Sequence, residues 1–302
     1  MDLRQLEYFL AVAEHGGVTR AARALRVAQP SLSDAVRGLE RELGAELFHR
    51  LGRGVVLTTA GEALLGPARR ALRDRAAARA VLGDLAGLSG GRLDILAWSV
   101  VSTYPLAELV AAFRRRHPKV SVHITDLRDE DEDAVGTLVR DGHFEIALAY
   151  VPIDGDGLRV HVLGDHEIQL ALPPDVGADW PDPVPAALLA GLQLVSVPRP
   201  ATMRWRIERS LAHFGAATRE VATTEHRDAL IPFALAGVGA AFVSAARARR
   251  AAELGLHVRR LDPPVTRAYG LVHRPERLSP AGRAFVALAL EWAAARRAPG
   301  QG

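Results

Sequence analysis

The stretch from Val18 to Gly61 leaves this chain few ways to fold. Ala21, Ala22, Ala24 and Leu25 make a short helix of small residues that can approach a neighbour closely. Thr19 is a candidate N-cap, its hydroxyl accepting from a free amide of the first turn. Val27 falls in a tight turn as an apolar plug, and Pro30 suits the first turn of a second helix, where its missing N–H is not needed. Leu32, Val36, Leu39 and Leu43 then recur at three- and four-residue steps, so one face of that helix is buried. Ser31, Ser33, Asp34 and Arg37 lie around the opposite and flanking faces. A short helix pair whose second member begins with exposed polar residues is a helix-turn-helix, which offers those residues to base edges in the major groove. Gly44 stops the helix, Leu47 and Phe48 return to the core, and Gly52 and Gly54 flank Arg53 at the tip of a two-stranded wing.

Net charge says little about a nucleic-acid partner, since the whole chain carries +3. Up to Thr58 there are eight Arg against seven acids, a balance of +1. Placement carries the argument instead. Arg20, Arg23, Arg26, Arg37, Arg50 and Arg53 fall on the helix pair and the wing, where phosphates would lie. The expected DNA contacts are Thr19, Arg20, Gln29, Pro30, Ser31, Ser33, Arg37, Arg50 and Arg53, with Gln29 suited to reading adenine.

At Leu6-Glu7-Tyr8-Phe9, Thr19-Arg20-Ala21-Ala22, Gln29-Pro30-Ser31-Leu32-Ser33, Leu47-Phe48-His49-Arg50 and Leu57-Thr58-Thr59-Ala60-Gly61 the chain resembles the LysR-type transcriptional regulators. Asp34 and Ala28 depart from that pattern, standing where the family often has a basic or amide residue and a capping Ser or Thr respectively.

Thr59-Ala60-Gly61-Glu62 fits a capping box, and the helix behind it is expected to run towards Leu88. Leu64, Leu65, Ala68, Leu72, Leu85 and Leu88 form an apolar seam, Arg69, Arg70, Arg73, Arg75 and Arg79 are expected to be solvated, and Pro67 to bend the helix locally. A helix of ~45 Å, at ~1.5 Å per residue, is hard to bury in a small domain and pairs more readily with its twin from a second chain. The resemblance implies the same: a dimerising linker helix in a homodimer or homotetramer.

From Ser89-Gly90-Gly91 onward, strands and helices alternate, predicting a largely parallel sheet with helices on both sides. The expected strands are 92–97, 120–125, 144–150, 158–163, 168–172, 194–197, 240–243 and 267–272, and the helices 104–117, 133–140, 203–214, 227–236 and 280–296. The fold class expected is an N-terminal all-α winged helix-turn-helix with a long linker helix, then a C-terminal α/β two-lobed effector domain resembling periplasmic binding proteins. The units are 1–58, 59–89 and 90–302, with lobe I at 90–162 and 267–302 and lobe II at 163–266.

Ligands of open α/β sheets collect at the carboxyl ends of strands, against helix N-termini. Ser99, Ser102 and Thr103 follow the first strand, Thr202 and Arg204 a strand of the second lobe, and Thr224 opens a further helix. Hydroxyls with a guanidinium suit a small carboxylate, though each Ser or Thr could equally cap a helix. Trp98 and Trp205 could wall the pocket or belong to the core. Asp129, Asp131 and Asp133 alternate like a calcium loop, but Ala134 stands where the sharp-turn Gly belongs, so this is a solvated loop.

The sequence offers no G-x-S-x-G, H-E-x-x-H, Walker A or complete G-x-G-x-x-G, and Phe242 replaces the third Gly after Gly237-Val238-Gly239. The eleven His lack metal-ligand spacing and Cys is absent. We therefore expect no catalytic residues, no cofactor and no metal. No secretory signal and no membrane span is evident, so the expected setting is cytoplasmic. Two other readings compete. A solute-binding protein would leave residues 1–88 unexplained, and an enzyme with an appended DNA-binding domain needs a catalytic constellation that is not there.

Overall fold

The computed structural model describes residues 1–51, 54–83, 91–127, 134–153, 155–198 and 217–297. Helix α1 (Leu3–His15) opens on a capping box in which the Gln5 amide donates to the Asp2 carboxylate (2.7 Å) and the Asp2 amide to the Gln5 side chain (2.8 Å). Helices α2 (Val18–Leu25) and α3 (Gln29–Leu43) follow. Tyr8, Ala11 and Val12 of α1, Ala21 and Ala22 of α2, and Leu32 and Val36 of α3 make one core. The small α2 side chains permit the close crossing. Strands β1 (Phe48–Leu51) and β2 (Gly54–Leu57) form the antiparallel wing.

Three local expectations need correction. Thr19 is exposed and caps nothing; Gly17 is the N-cap, its carbonyl accepting from the Ala21 amide (3.0 Å). Leu43 is 42% exposed, because the apolar stripe of α3 has turned away from the core by its last residue. Helix α4 (Thr59–Gly83) is capped one residue earlier than the sequence suggests. The Thr58 hydroxyl accepts from the Gly61 amide (3.0 Å) and donates to the Glu46 carbonyl (2.7 Å), whereas Thr59 and Glu62 are exposed. A side chain at Gly61 would run into the Leu47 carbonyl, so only Gly fits this third position.

The apolar start of α4 enters a second core of the same unit, where Ala68 packs with Leu6, Phe9, Leu39 and Leu47. The expectation that Arg69 and Arg73 are solvated also fails, for both lie on the turn 141–145 of the following domain. Arg69 donates to the His143 carbonyl (3.2 Å) and stands 5.4 Å from the Phe144 ring, while Arg73 donates to the Gly142 carbonyl (2.7 Å). The end of the helix beyond Gly83, with Leu85, Leu88 and the Ser89-Gly90 boundary, lies outside the described residues.

The second domain is built on a sheet ordered β10-β6-β13-β5-β3-β4. Its strands are β3 (Gly91–Ala97), β4 (Val120–Asp126), β5 (Ile146–Tyr150), β6 (Arg159–Leu172), β10 (Ala241–Ser244), β11 (His257–Arg259) and β13 (Val265–His273). β3 is parallel to β4 and β5, but β13 is antiparallel to both β5 and β6, and β10 and β11 are antiparallel to β6. The sheet is therefore mixed, not largely parallel. Segments 158–163 and 168–172 are one strand, β6, because β13 pairs with it from Arg159 to Ile168 without a break in the chain direction. Short parallel pairs β7 (Val184–Pro185) with β12 (Leu261–Asp262), and β8 (Gln193–Ser196) with β9 (Arg219–Thr223), complete the strands.

Helices α5 (Ala107–Arg116), α6 (Ala134–Arg140) and α9 (Pro280–Arg297) pack on the first part of the sheet, and α7 (Leu230–Leu235) and α8 (Ala245–Glu253) on the second. Leu93, Ile95, Leu109, Phe113, Ile146, Leu148 and Phe285 form the first core. Ile168, Leu170, Leu172, Val184 and Leu189 belong to another, and Ala171, Val243 and Ala248 to a third on the other face. Trp98 is buried in the first core. The expected helix 203–214, Trp205 and the acidic run with Asp129, Asp131 and Asp133 lie outside the described residues.

Thr58→Ala should lower the urea-unfolding stability of the N-terminal unit by about 1–2 kcal/mol, as lost caps do. Thr59→Ala should stay within about 0.5 kcal/mol; equal costs would return the cap to Thr59.

Candidate functional site

Two regions gather the polar residues singled out by the sequence. The first is the outer face of α3. Its N-cap, Ala28, offers no side-chain oxygen, so the first amides of α3 receive no side-chain acceptor. Such amides, aligned with the positive end of the helix dipole, hold phosphate oxygens. Gln29, Pro30 and Ser31 are exposed around that end, Ser33 is half-buried, and Asp34 and Arg37 are exposed one and two turns further on. Leu32 and Val36 fix this face by burying the other one. Thr19 and Arg20 are exposed on α2. Arg20 also donates to the Gly16 carbonyl (2.6 Å), closing the C-terminus of α1. The wing is tied to the same corner, the Val55 amide donating to the Gly16 carbonyl (3.2 Å). Arg50 lies on β1; Arg53 lies outside the described residues.

The second region follows the carboxyl end of β3. Ser99, Ser102 and Thr103 come together in one turn there, Ser99 and Ser102 half-buried. The Thr103 hydroxyl donates to the Ser99 carbonyl (3.0 Å) and so closes the turn. Thr224, after β9, accepts from the His226 amide (3.1 Å), and its own amide donates to the Ser196 carbonyl (2.9 Å). Two of the four described hydroxyls thus already serve local backbone. Thr202 and Arg204 lie outside the described residues.

Between the two lobes sits a cluster that sequence reasoning missed. His166 on β6 is 3% exposed and stands opposite Arg267 on β13, itself 5% exposed. The Tyr104 carbonyl, 3.0 Å from Nε2 of His166, can only accept, so Nε2 carries the proton. Nδ1 then accepts from the Tyr150 hydroxyl at 3.1 Å. Arg267 lies 4.1 Å above the Tyr150 ring, and Tyr269 packs 4.4 Å from His166. Burial holds the His166 pKa down to about 4, so the ring is neutral at pH 7, and burial raises the Tyr269 phenol above its usual value. Gly164 allows the approach, since a Cβ there would come within 2.8 Å of the Tyr269 hydroxyl. The only sequence signal is the Gly164-Asp165 pair; the adjoining His166 is one of many scattered histidines. Among the described residues no group of three or more His, Cys, Asp or Glu is arranged to hold a metal, and no helix is long and apolar enough to cross a membrane.

Residues 3–62 match the profile of the bacterial regulatory helix-turn-helix proteins of the lysR family, and residues 86–294 match the LysR substrate binding domain. The RuBisCO operon transcriptional regulator of Allochromatium vinosum is 31% identical over 97% of each chain. A full-length OxyR variant from Pseudomonas aeruginosa superposes with a TM-score of 0.73 at 21% identity, covering 97% of this chain and 98% of its own. Full-length CbnR in complex with its target DNA gives a TM-score of 0.57 at 25% identity over 97% of this chain and all of its own.

His166 also makes stability depend on pH. Its folded pKa lies below the unfolded value of 6.5, so the unfolded chain binds the extra proton first. Its contribution is complete above about pH 6.5 and is lost as pH falls towards about 4, a cost of up to about 3 kcal/mol. Melting the wild type and His166→Gln side by side across this window should show a shallower decline in the variant; parallel declines would refute the assignment.

Proposed function

The chain belongs to the LysR family of transcriptional regulators, and from that premise we propose how its residues divide the work. The protein is a DNA-binding transcriptional regulator with an effector-binding domain, and its partners are double-stranded DNA, a small-molecule effector and further copies of itself. In our reading Gln29, Pro30, Ser31, Ser33 and Arg37 enter the major groove. Thr19 and Arg20 meet the flanking backbone, and Arg50 and Arg53 hold the backbone or the minor groove beside the wing. The observation that carries this is the exposed N-terminal end of α3, with amides that no side chain caps and polar side chains around it. The proposed units are 1–58, 59–89 and 90–302, the last in two lobes.

We assign the effector to the space between the lobes, against Ser99, Ser102, Thr103, Thr202, Arg204 and Thr224, and its class to small carboxylates. Ser99 and Ser102 support this, since both are half-buried just after a strand end. The protein works by binding alone, without turnover, in the cytoplasm. The linker helix pairs with its twin, so that two α3 helices address half-sites about one DNA turn apart or a multiple of it.

Footprinting on DNA upstream of its own gene at low salt should protect an interrupted palindrome; absence of protection, where phosphate contacts are strongest, would overturn this reading. On that operator, Gln29→Ala should narrow the preference for the correct base at one position of each half-site by about 1–3 kcal/mol. Arg204→Ala should abolish the response to effector while DNA affinity is kept. Loss of basal DNA binding would remove Arg204 from the site.

A further inference from the structure

Away from the space between the lobes, a cavity of about 600 Å³ opens where α4 lies on the effector domain. Ala63, Pro67 and Arg70 of α4 form one wall, and Arg140, Asp141, His143, Arg274 and Arg277 the other. Four arginines and one aspartate therefore line one cavity. Among the described residues none of these four arginines is in an ion pair, and the Nε atoms of Arg140 and Arg274 are buried with no acceptor. Burial, and then Arg69, lower the His143 pKa and favour its neutral form, against a smaller opposing pull from Asp141.

The arginines are held in place. A Cβ at Gly142 would lie 2.6 Å from the Arg70 side-chain carbons, and one at Gly155 would lie 2.7 Å from a terminal nitrogen of Arg140. Arg274 donates to the Arg140 carbonyl (3.4 Å). Glycine at 142 and 155 thus makes the room that the guanidinium groups occupy. Four grouped cations against one carboxylate leave an excess of positive charge that an anion would offset.

We propose that this cavity binds a small phosphate-bearing anion and that the anion ties the linker helix to the effector domain. The charge favours phosphate over a monocarboxylate: a phosphate monoester brings nearly two negative charges and three acceptor oxygens, and guanidinium forks match such oxygens in pairs. The anion touches α4 on one side and two loops of the effector domain on the other, so it fixes their relative orientation. It is a second input, independent of the effector between the lobes.

Titration calorimetry on the full chain at low ionic strength tests this. The probes are pyrophosphate, inorganic phosphate, glycerol 3-phosphate and citrate. Pyrophosphate should bind at one site per chain, and citrate, of similar charge, more weakly. Tighter binding of glycerol 3-phosphate than of inorganic phosphate would mark an ester as the ligand, and the reverse would mark the free anion. Arg70→Gln and Arg277→Ala, whose side chains donate no hydrogen bond within the described residues, should each weaken pyrophosphate by about tenfold or more, with unchanged thermal midpoints in its absence. Ser102→Ala, in the proposed effector site, should leave pyrophosphate binding as it was. No pyrophosphate binding, equal binding by citrate, no effect of either arginine change, or loss of binding in Ser102→Ala would each overturn the proposal.

Discussion

The antiparallel pairing of β6 with β13 joins the cores of the effector domain. The two strands stay in register from Arg159 opposite His273 to Ile168 opposite Val265, with one irregularity at Tyr269/Gly270. Leu163, Tyr269 and Leu271 belong to the first core, and Ile168 and Val265 to the second, so the same ladder supports both lobes. Where the pairing with β13 ends at Ile168, β11 takes up the pairing with β6 at Leu170 to Leu172.

That ladder is where polar groups have been buried. His166 and Arg267 face each other across the ladder between the two cores, and both are almost fully removed from water. An apolar pair would pack there at lower cost. The polar pair instead joins β6 to the Tyr104 carbonyl of the turn that carries Ser99, Ser102 and Thr103, and to Tyr150 at the end of β5. The effector turn proposed above is thus tied to the ladder by a hydrogen bond to its backbone.

The N-terminal unit was legible because its signals are local: small residues on α2, a three- and four-residue apolar step on α3, and glycine at the wing. Apart from the exposed Leu43, the failures there were shifts of one or two residues. Gly17 and Thr58 took the caps from Thr19 and Thr59 because backbone geometry and the Glu46 carbonyl, neither visible in a short pattern, decided between adjacent candidates. The effector domain was less legible. Alternating strands and helices do not reveal that β13 returns antiparallel between β5 and β6, since strand order is set by contacts about a hundred residues apart in the chain. His166 and the docking of Arg69 and Arg73 were hidden for the same reason. Their partners, Tyr104 and residues 142–143, are remote in sequence.

Helix α4 joins the two domains with unequal grips. Its first turns are anchored by apolar burial, with Ala68 beside Leu6, Phe9 and Leu39, and by the two hydrogen bonds of Thr58. Its grip on the effector domain is polar: Arg69 and Arg73 on carbonyls, and, beside it, Arg92 paired with Glu14 of α1 at 3.0 Å. Arg92 and Glu14 are 43% and 34% exposed, and an ion pair so open to water contributes little. Apolar burial in a packed core holds a helix more firmly than a few polar contacts do. With the effector bound as proposed, reorientation would fall between α4 and the effector domain, the helix staying with the DNA-binding unit. On the proposed function, the polar joint is where occupancy between the lobes would become the spacing of recognition helices on DNA.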